Sequence, residues 1–339
     1  MTKEDYLQLK KSISPGQNCV IIPHRNPDGD AMGSTLALCC FLNKMGANAV
    51  VVSPNEAPSF LEWLPGFESV VFFNSQRAKA EELIDNAALI FTLDFNDFSR
   101  TGSEMQAVLS QKEARYIMID HHQQPSDYAE FTYSDTSMSS TSEMVYHFID
   151  ELGALALIDK DIATCIYTGI LTDTGQFKFP NTSSKTHQIA AHLMDLGVDH
   201  FKIHQEVYDT NDTSTLELLG CCLSSMEVLE EYHTAILKLS AEELQEHHYK
   251  KGDTEGFVNY GLSLKGIVFS VIFIEHKEEG IIKISFRSQG AFSVNEFARA
   301  HFEGGGHDNA AGGKSTDSLE ATIDRFKSLL SQYKEKLKQ

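Results

Sequence analysis

Apolar residues follow two different rhythms along this chain. In the first half they gather in short unbroken runs, Cys19-Val20-Ile21-Ile22, Ala88-Leu89-Ile90-Phe91-Thr92-Leu93 and Tyr116-Ile117-Met118-Ile119. Runs of that kind fit strands covered on both faces, as in a parallel sheet. The pattern predicts strands at 18–23, 49–53, 70–73, 88–93 and 116–119. It predicts helices at 31–45 (closed by Gly46), 139–151, 161–171, 185–196 and 213–230. The stretch 54–65 reads as a loop anchored by Phe60, Leu61, Trp63 and Leu64. After about residue 200 the rhythm changes. Strands at 233–239, 266–274 and 281–286 have few long helices between them, and helices at 294–300 and 318–336 complete the chain. Along 281–287, Lys283, Ser285 and Arg287 alternate with Ile282, Ile284 and Phe286, which puts the two sets on opposite faces. The fold expected is α/β in two lobes. A parallel-sheet domain spans 1–195, a linker rich in polar residues spans 196–214, and a smaller α/β domain spans 215–339.

The length of 339 residues agrees with two domains. No apolar run approaches the ~20 residues needed to cross a bilayer. The start, Met1-Thr2-Lys3-Glu4-Asp5-Tyr6, lacks a basic segment followed by an apolar core, so a cytoplasmic protein is expected. Six cysteines without a C-x-x-C spacing read as reduced thiols. The net charge of −20 argues against long duplex nucleic acid, whose affinity rests on many Lys/Arg–phosphate contacts. A short anion remains admissible, because bound cations can reverse the field inside one cleft.

The first strand runs into His24-Arg25-Asn26-Pro27-Asp28-Gly29-Asp30. That loop crowds an imidazole and two carboxylates at the end of a predicted strand, where open α/β sheets bind ligands. Taken alone, it is also an ordinary Asn-Pro-Asp-Gly turn. Asp94 and Asp120-His121-His122 follow two further apolar strands, and Asp173 ends an apolar helix in Leu171-Thr172-Asp173-Thr174-Gly175. Each has a plain structural explanation: a local ion pair, a surface histidine pair, a helix-end turn. Together these would collect unpaired carboxylates at one sheet edge, which costs too much unless cations offset them.

The set His24-x-x-x-Asp28-x-Asp30, Asp94, Asp120-His121-His122 and Asp173 resembles the DHH phosphoesterase superfamily. In the second half, Ile284-Ser285-Phe286-Arg287 and Glu303-Gly304-Gly305-Gly306-His307-Asp308-Asn309-Ala310-Ala311-Gly312 are similar to the DHH-associated C-terminal domain. Length and layout match the bacterial oligoribonuclease (nanoRNase) and phosphoadenosine-phosphate phosphatase group. The resemblance implies two divalent metal ions, Mn2+ first, with Mg2+, Fe2+, Co2+ or Zn2+ as alternatives. One would take His24, Asp28, Asp94 and Asp173; the other Asp30, Asp94 and His121. Asp120 would orient His121. A hydroxide shared by the metals would attack phosphorus, and His122 would act as general acid.

The resemblance also assigns Arg287, Gly305, Gly306 and His307 to substrate binding. Glycines let backbone N–H groups approach an anion, and a helix starting after them would add positive potential. Gly312-Gly313-Lys314-Ser315 is not a nucleotide-triphosphate loop, since Asp308 stands where that motif needs glycine. Phe292, Phe297 and Phe302 are expected in the core. Glu303 and Lys178 depart from the family pattern, which has a glycine and an arginine there. The activity implied is hydrolysis of short single-stranded RNA to mononucleotides, and of 3′-phosphoadenosine 5′-phosphate to AMP, in a cleft between the lobes that closes over substrate. A homodimer is the family-level expectation. The alternatives are a cyclic- or linear-dinucleotide phosphodiesterase, a pyrophosphatase, and a non-catalytic nucleotide-binding regulator.

Overall fold

Six parallel strands frame the first unit. In the computed structural model, which describes residues 1–338, the chain divides between Thr210 and Asn211. The elements of the first unit, in order, are α1 (Lys3–Ser12), β1 (Asn18–Ile22), α2 (Gly29–Lys44), β2 (Asn48–Ser53), β3 (Val71–Phe72), α3 (Arg77–Asn86), β4 (Leu89–Leu93), α4 (Ser103–Gln111), β5 (Arg115–Asp120), β6 (Phe131–Ser134), α5 (Thr141–Glu151), α6 (Lys160–Asp173), α7 (Ser184–Asp195) and α8 (His200–Tyr208). The strand order is β3-β2-β1-β4-β5-β6 and every pair is parallel. The chain therefore reverses its direction of travel across the sheet between β1 and β4. Ligand sites of open α/β sheets form beyond the carboxyl ends of the strands at such a switch point. His24 follows β1 and Asp94 follows β4, so the topology brings them together.

Alternate strand residues feed two cores. Cys19, Ile21, Leu89, Phe91, Ile117 and Ile119 pack with α2, α5 and α6. Val20, Ile22, Ile90 and Tyr116 pack with Ile84 of α3 and Met105 and Leu109 of α4. Burial on both faces explains the unbroken apolar runs. Helices α2 and α6 touch backbone to backbone: a Cβ on Gly33 would meet the Cys165 carbonyl at 2.6 Å and Gly169 N at 3.0 Å.

Several elements differ from the pattern-based expectation. Helices α3 and α4 each bury only two side chains, Ala80 and Ile84 in one and Met105 and Leu109 in the other, so their apolar stripe is thin. Edge strand β6 buries Phe131 alone. The segment 196–214, read as a linker, contains α8, whose Ile203 is buried in the first unit's core.

The second unit comprises α9 (Thr213–Ser224), β7 (Glu227–Leu229), β8 (Thr234–Leu239), α10 (Ala241–Glu246), α11 (Asn259–Leu262), β9 (Phe269–His276), β10 (Ile281–Ser288), α12 (Val294–His301), β11 (Gly305–His307), β12 (Ala310–Ser315) and α13 (Leu319–Tyr333). Helix α9 stops before 230 because Glu227–Leu229 pairs with β8 instead. The sheet order is β11-β12-β10-β9-β8-β7, mixed, with β8 and β9 the parallel pair. Ile282, Ile284 and Phe286 are buried while Lys283 is exposed, as the alternation requires. Phe292, Phe297 and Phe302 are core residues around Phe269 and Phe326.

The glycine segment is a correction. A strand, not a helix, directly follows it: Gly305–His307 is an edge strand that pairs with β12 through a turn, and the neighbouring helix α12 precedes it. A Cβ on Gly306 would meet the Ala310 carbonyl at 2.4 Å, so close strand packing itself demands glycine there.

Candidate metal centre

Each proposed ligand is placed by a local feature of the chain. Asp28 is the N-cap of α2; its Oδ1 accepts from Asp30 N (3.1 Å) and Ala31 N (3.0 Å), a cap worth about 1 kcal/mol. Its Oδ2 stays on the His24 side, 3.8 Å from Nε2. Asp94 follows β4 in the left-handed region (φ 65°), which costs a non-glycine residue about 1–2 kcal/mol. Its amide still bonds to the Ile119 carbonyl, so the strand ladder holds the turned residue in place. Asp173 is the last residue of α6.

The side chains converge. His24 Nε2 lies 3.4 Å from Asp94 Oδ2. His121 Nε2 lies 3.5 Å from Asp94 Oδ1, 3.6 Å from Asp173 Oδ2 and 4.0 Å from Asp30 Oδ2. Three donor sets result within the first unit, His24/Asp28/Asp94, Asp30/Asp94/His121 and Asp94/Asp120/His122, each with ligand atoms within 4.8 Å of one another. Asp94 belongs to all three. Asp173, assigned by resemblance to the His24 set, stands beside His121.

The ring orientations suit metal binding. His24 Nδ1 donates to the Arg25 carbonyl at 2.9 Å and His121 Nδ1 to the Met138 carbonyl at 3.3 Å. Both histidines thereby turn Nε2 toward the carboxylates, the arrangement metal-ligating imidazoles adopt. Asp120 differs from expectation. The hydrogen bond it makes goes to His122, whose Nδ1 donates to Oδ1 at 2.7 Å, and the Met138 carbonyl takes the part of orienting His121. Asp120 Oδ2 is buried with no hydrogen-bond partner.

Electrostatics give a second reason to expect a cation. Among the described residues, the ion pairs of Asp28, Asp30, Asp94 and Asp173 all come from histidines, with no lysine or arginine. Burial, then the charges of Asp94 and Asp173, push the Asp30 carboxyl well above its ordinary range. Burial also pushes Asp173 up to about 7, with His121 opposing and Asp94 adding to the rise. At Asp94 burial acts upward too, but the adjacent His121 and His24 imidazoles hold it well below the carboxylate range. Burial would lower His24, yet the close Asp94 carboxylate and the charges of Asp28 and Asp94 outweigh it and raise it to about 9. Protons are thus holding together a cluster that divalent cations could hold instead. The donor chemistry, the ring orientations and the orphaned Asp120 oxygen all fit such ions.

Comparison with known proteins agrees. Residues 18–170 match the N-terminal domain of the DHH family, and residues 232–338 match the DHHA1 domain. A bifunctional oligoribonuclease and PAP phosphatase of Thermus thermophilus is 34% identical over 292 residues, 86% of this chain and 82% of that protein. The chain belongs to the DHH family. A Bacillus subtilis protein of the same description is 26% identical and covers 96% of this chain and 99% of its own. A crystal structure of an exopolyphosphatase-related protein from Bacteroides fragilis superposes with a TM-score of 0.96 at 39% identity, over 100% of this chain and 98% of that one.

In this DHH-family chain the substrate-binding candidates lie in the second unit. Arg287 on β10 and His307 on β11 are both in register with Ala310 of β12. Two strand spacings separate them, about 9.5 Å, and residues directly opposite share a sheet face. Gly305 and Gly306 precede His307 on the same edge strand. The negative charge of Glu303 has Lys314 Nζ at 3.4 Å.

The sequence places a helix at 139–151 but does not show that its first turn, the start of α5, grips the metal-centre carboxylates. Thr141 N and Ser142 N donate to Asp30 Oδ2 (2.6 Å) and Oδ1 (2.8 Å), and Thr141 Oγ1 donates to Asp94 Oδ1 at 2.9 Å. Glu143, almost fully buried, accepts from Ser139 Oγ and from Thr186 Oγ1 (2.9 Å) of α7. The signal available was Ser139-Ser140-Thr141-Ser142-Glu143, a helix start marked by Ser140 three residues before a glutamate.

Proposed function

We propose that this protein is a metal-dependent phosphoesterase that shortens RNA fragments of a few nucleotides to mononucleotides and converts 3′-phosphoadenosine 5′-phosphate to AMP. The observation that carries the reading is Asp94, whose two oxygens face two different donor sets. His24, Asp28 and Asp94 would hold one ion, and Asp30, Asp94 and His121 the other, with Asp173 beside His121. Mixed imidazole and carboxylate donors suit Mn2+. When bound, such ions supply the positive charge a phosphoryl transition state needs and activate water near neutral pH.

The chain's own residues do the rest. Asp120 holds the Nδ1–H of His122 and leaves Nε2 to pass a proton to the departing oxygen, so His122 is the general acid of this reading. Arg287, His307 and the Gly305–Gly306 backbone form a phosphate clamp on one sheet face, worth more to a nucleotide than to bare pyrophosphate. The named activity of the Thermus and Bacillus relatives, 34% and 26% identical, supports this substrate class. No described helix is long and apolar enough to cross a membrane, and the reading places the protein in the cytoplasm, as a homodimer without affinity for long duplexes.

The test is turnover of a 5′-labelled RNA dinucleotide, of phosphoadenosine phosphate and of a cyclic dinucleotide with added Mn2+. Mononucleotide from the linear dinucleotide and AMP from phosphoadenosine phosphate are expected. Cleavage of the cyclic substrate alone, or no product from metal-loaded protein, would overturn the reading.

A further inference from the structure

Asp94 can serve two donor sets only if its carboxylate plane is held so that one oxygen faces each. On one side, Oδ2 meets His24 Nε2 at 3.4 Å. On the other, Oδ1 sits among His121 Nε2 (3.5 Å), His122 Nδ1 (3.7 Å) and the Thr141 hydroxyl (2.9 Å). The terminal torsion of an aspartate is broad and two-fold, so the side chain does not set this plane by itself. Of the neighbours, His121 and His24 are candidate ligands whose Nε2 atoms are committed to the ions in this reading, and His122 gives its Nδ1–H to Asp120 at 2.7 Å. Thr141 is not a candidate ligand, is fully buried, and sits on a fixed element.

That element is itself anchored. Ser140 caps α5 through Glu143 N at 3.0 Å, and the first amides of α5 grip Asp30. Glu143 ties the same turn to Ser139 and to Thr186 of α7, and Asn181 Nδ2 donates to the Ser139 carbonyl at 2.9 Å. The turn therefore reaches both carboxylates of the second donor set from one rigid place: two backbone amides on Asp30 and one hydroxyl on Asp94.

We propose that Thr141 is a positioning residue that fixes the plane of Asp94 and so divides its two oxygens between the two metal positions. It acts through Asp94 and needs to touch neither substrate nor ion. The inference rests on the metal-centre reading above, and the experiment separates the two. A partner outside the ligands that holds a metal-binding group typically changes metal affinity about 10–100-fold when removed.

Mn2+ binding is measured by titration calorimetry, and free Mn2+ is counted by electron paramagnetic resonance, on the full chain. The variants are Thr141→Val, which keeps shape and loses the hydroxyl, and Thr141→Ser, which keeps the hydroxyl. Thr141→Val is expected to lose about 10–100-fold in Mn2+ affinity, with Thr141→Ser within about 2-fold of wild type. Thr141→Ala, which cannot crowd the turn, carries the same expectation should the valine variant misfold. Wild-type affinity and stoichiometry in the valine or alanine variant would overturn the proposal, as would an equal loss in Thr141→Ser. Wild-type protein that binds no Mn2+ would overturn the metal-centre reading itself.

Discussion

Adding one methyl group at Gly169 tests how the metal centre is built into the helix packing. A Cβ there would lie 1.9 Å from Ser142 Oγ, 2.7 Å from Ser142 Cβ and 2.8 Å from Asp30 Oδ1. The hydroxyl can rotate away. Ser142 Cβ cannot, because it belongs to the first turn of α5, and the Asp30 carboxylate is held by the amides of that turn. Relief requires α5 and α6 to separate by several tenths of an ångström. Such overpacking costs about 1–3 kcal/mol, and the better helix propensity of alanine returns about 1 kcal/mol. The net loss is about 0–2 kcal/mol, or up to roughly 8 °C in melting temperature for a unit of this size. Displacing Asp30 should also weaken Mn2+ binding by about 10-fold. Gly220, exposed in α9 with nothing within 4 Å of its would-be Cβ, is the control; Gly220→Ala should be neutral or stabilising by up to about 1 kcal/mol. Calorimetric melting of metal-free protein and Mn2+ titration measure both effects. A Gly169→Ala protein that melts at or above wild type and binds Mn2+ as tightly would refute the reasoning.

Other perturbations address single steps. Asp94→Asn removes one charge from every donor set, and turnover of a dinucleotide should fall by about 10³-fold or more, the equivalent of several kcal/mol of metal assistance. His122→Ala should lower kcat by about 10²–10⁴-fold, with Mn2+ affinity nearly unchanged; undiminished turnover would end its role as general acid. Because metal-free Asp173 is raised to about 7, it carries a proton below that pH and a cation must displace it. Mn2+ affinity should therefore fall as pH drops through about 7, with proton release visible in calorimetry using buffers of different ionisation enthalpy; a flat profile from pH 6 to 8 would contradict the assignment. Burial opposes ionisation of Glu143, but the His147 imidazole 3.8 Å away and the hydrogen bonds from Ser139 and Thr186 outweigh it and keep the carboxyl below its ordinary value of 4.5. The stability it contributes is present above pH 4.5 and lost as pH falls through the lowered value. Glu143→Gln should thus cost about 1–3 kcal/mol at pH 7, measured by urea unfolding, and the difference from wild type should shrink in acid.

Continuous apolar runs at β1, β4 and β5 announced a parallel sheet, because burial on both faces leaves no room for alternation. The same runs end in His24, Asp94 and Asp120, so the residues of the centre could be listed from the chain alone. Elements with thin apolar stripes, α3, α4 and β6, escaped notice because two or fewer buried side chains leave almost no periodic signal. Nor does a sequence carry the pairing of side chains. That Asp120 holds His122, that Met138 turns His121, and that Asp173 stands beside His121 depend on strand ends and a helix end meeting at the switch between β1 and β4. The hold of α5 on Asp30 and Asp94 spans 111 and 47 residues of chain. Local composition cannot encode contacts of that range; they arise when glycines at 33 and 169 let two helices touch and bring the first turn of a third against both carboxylates.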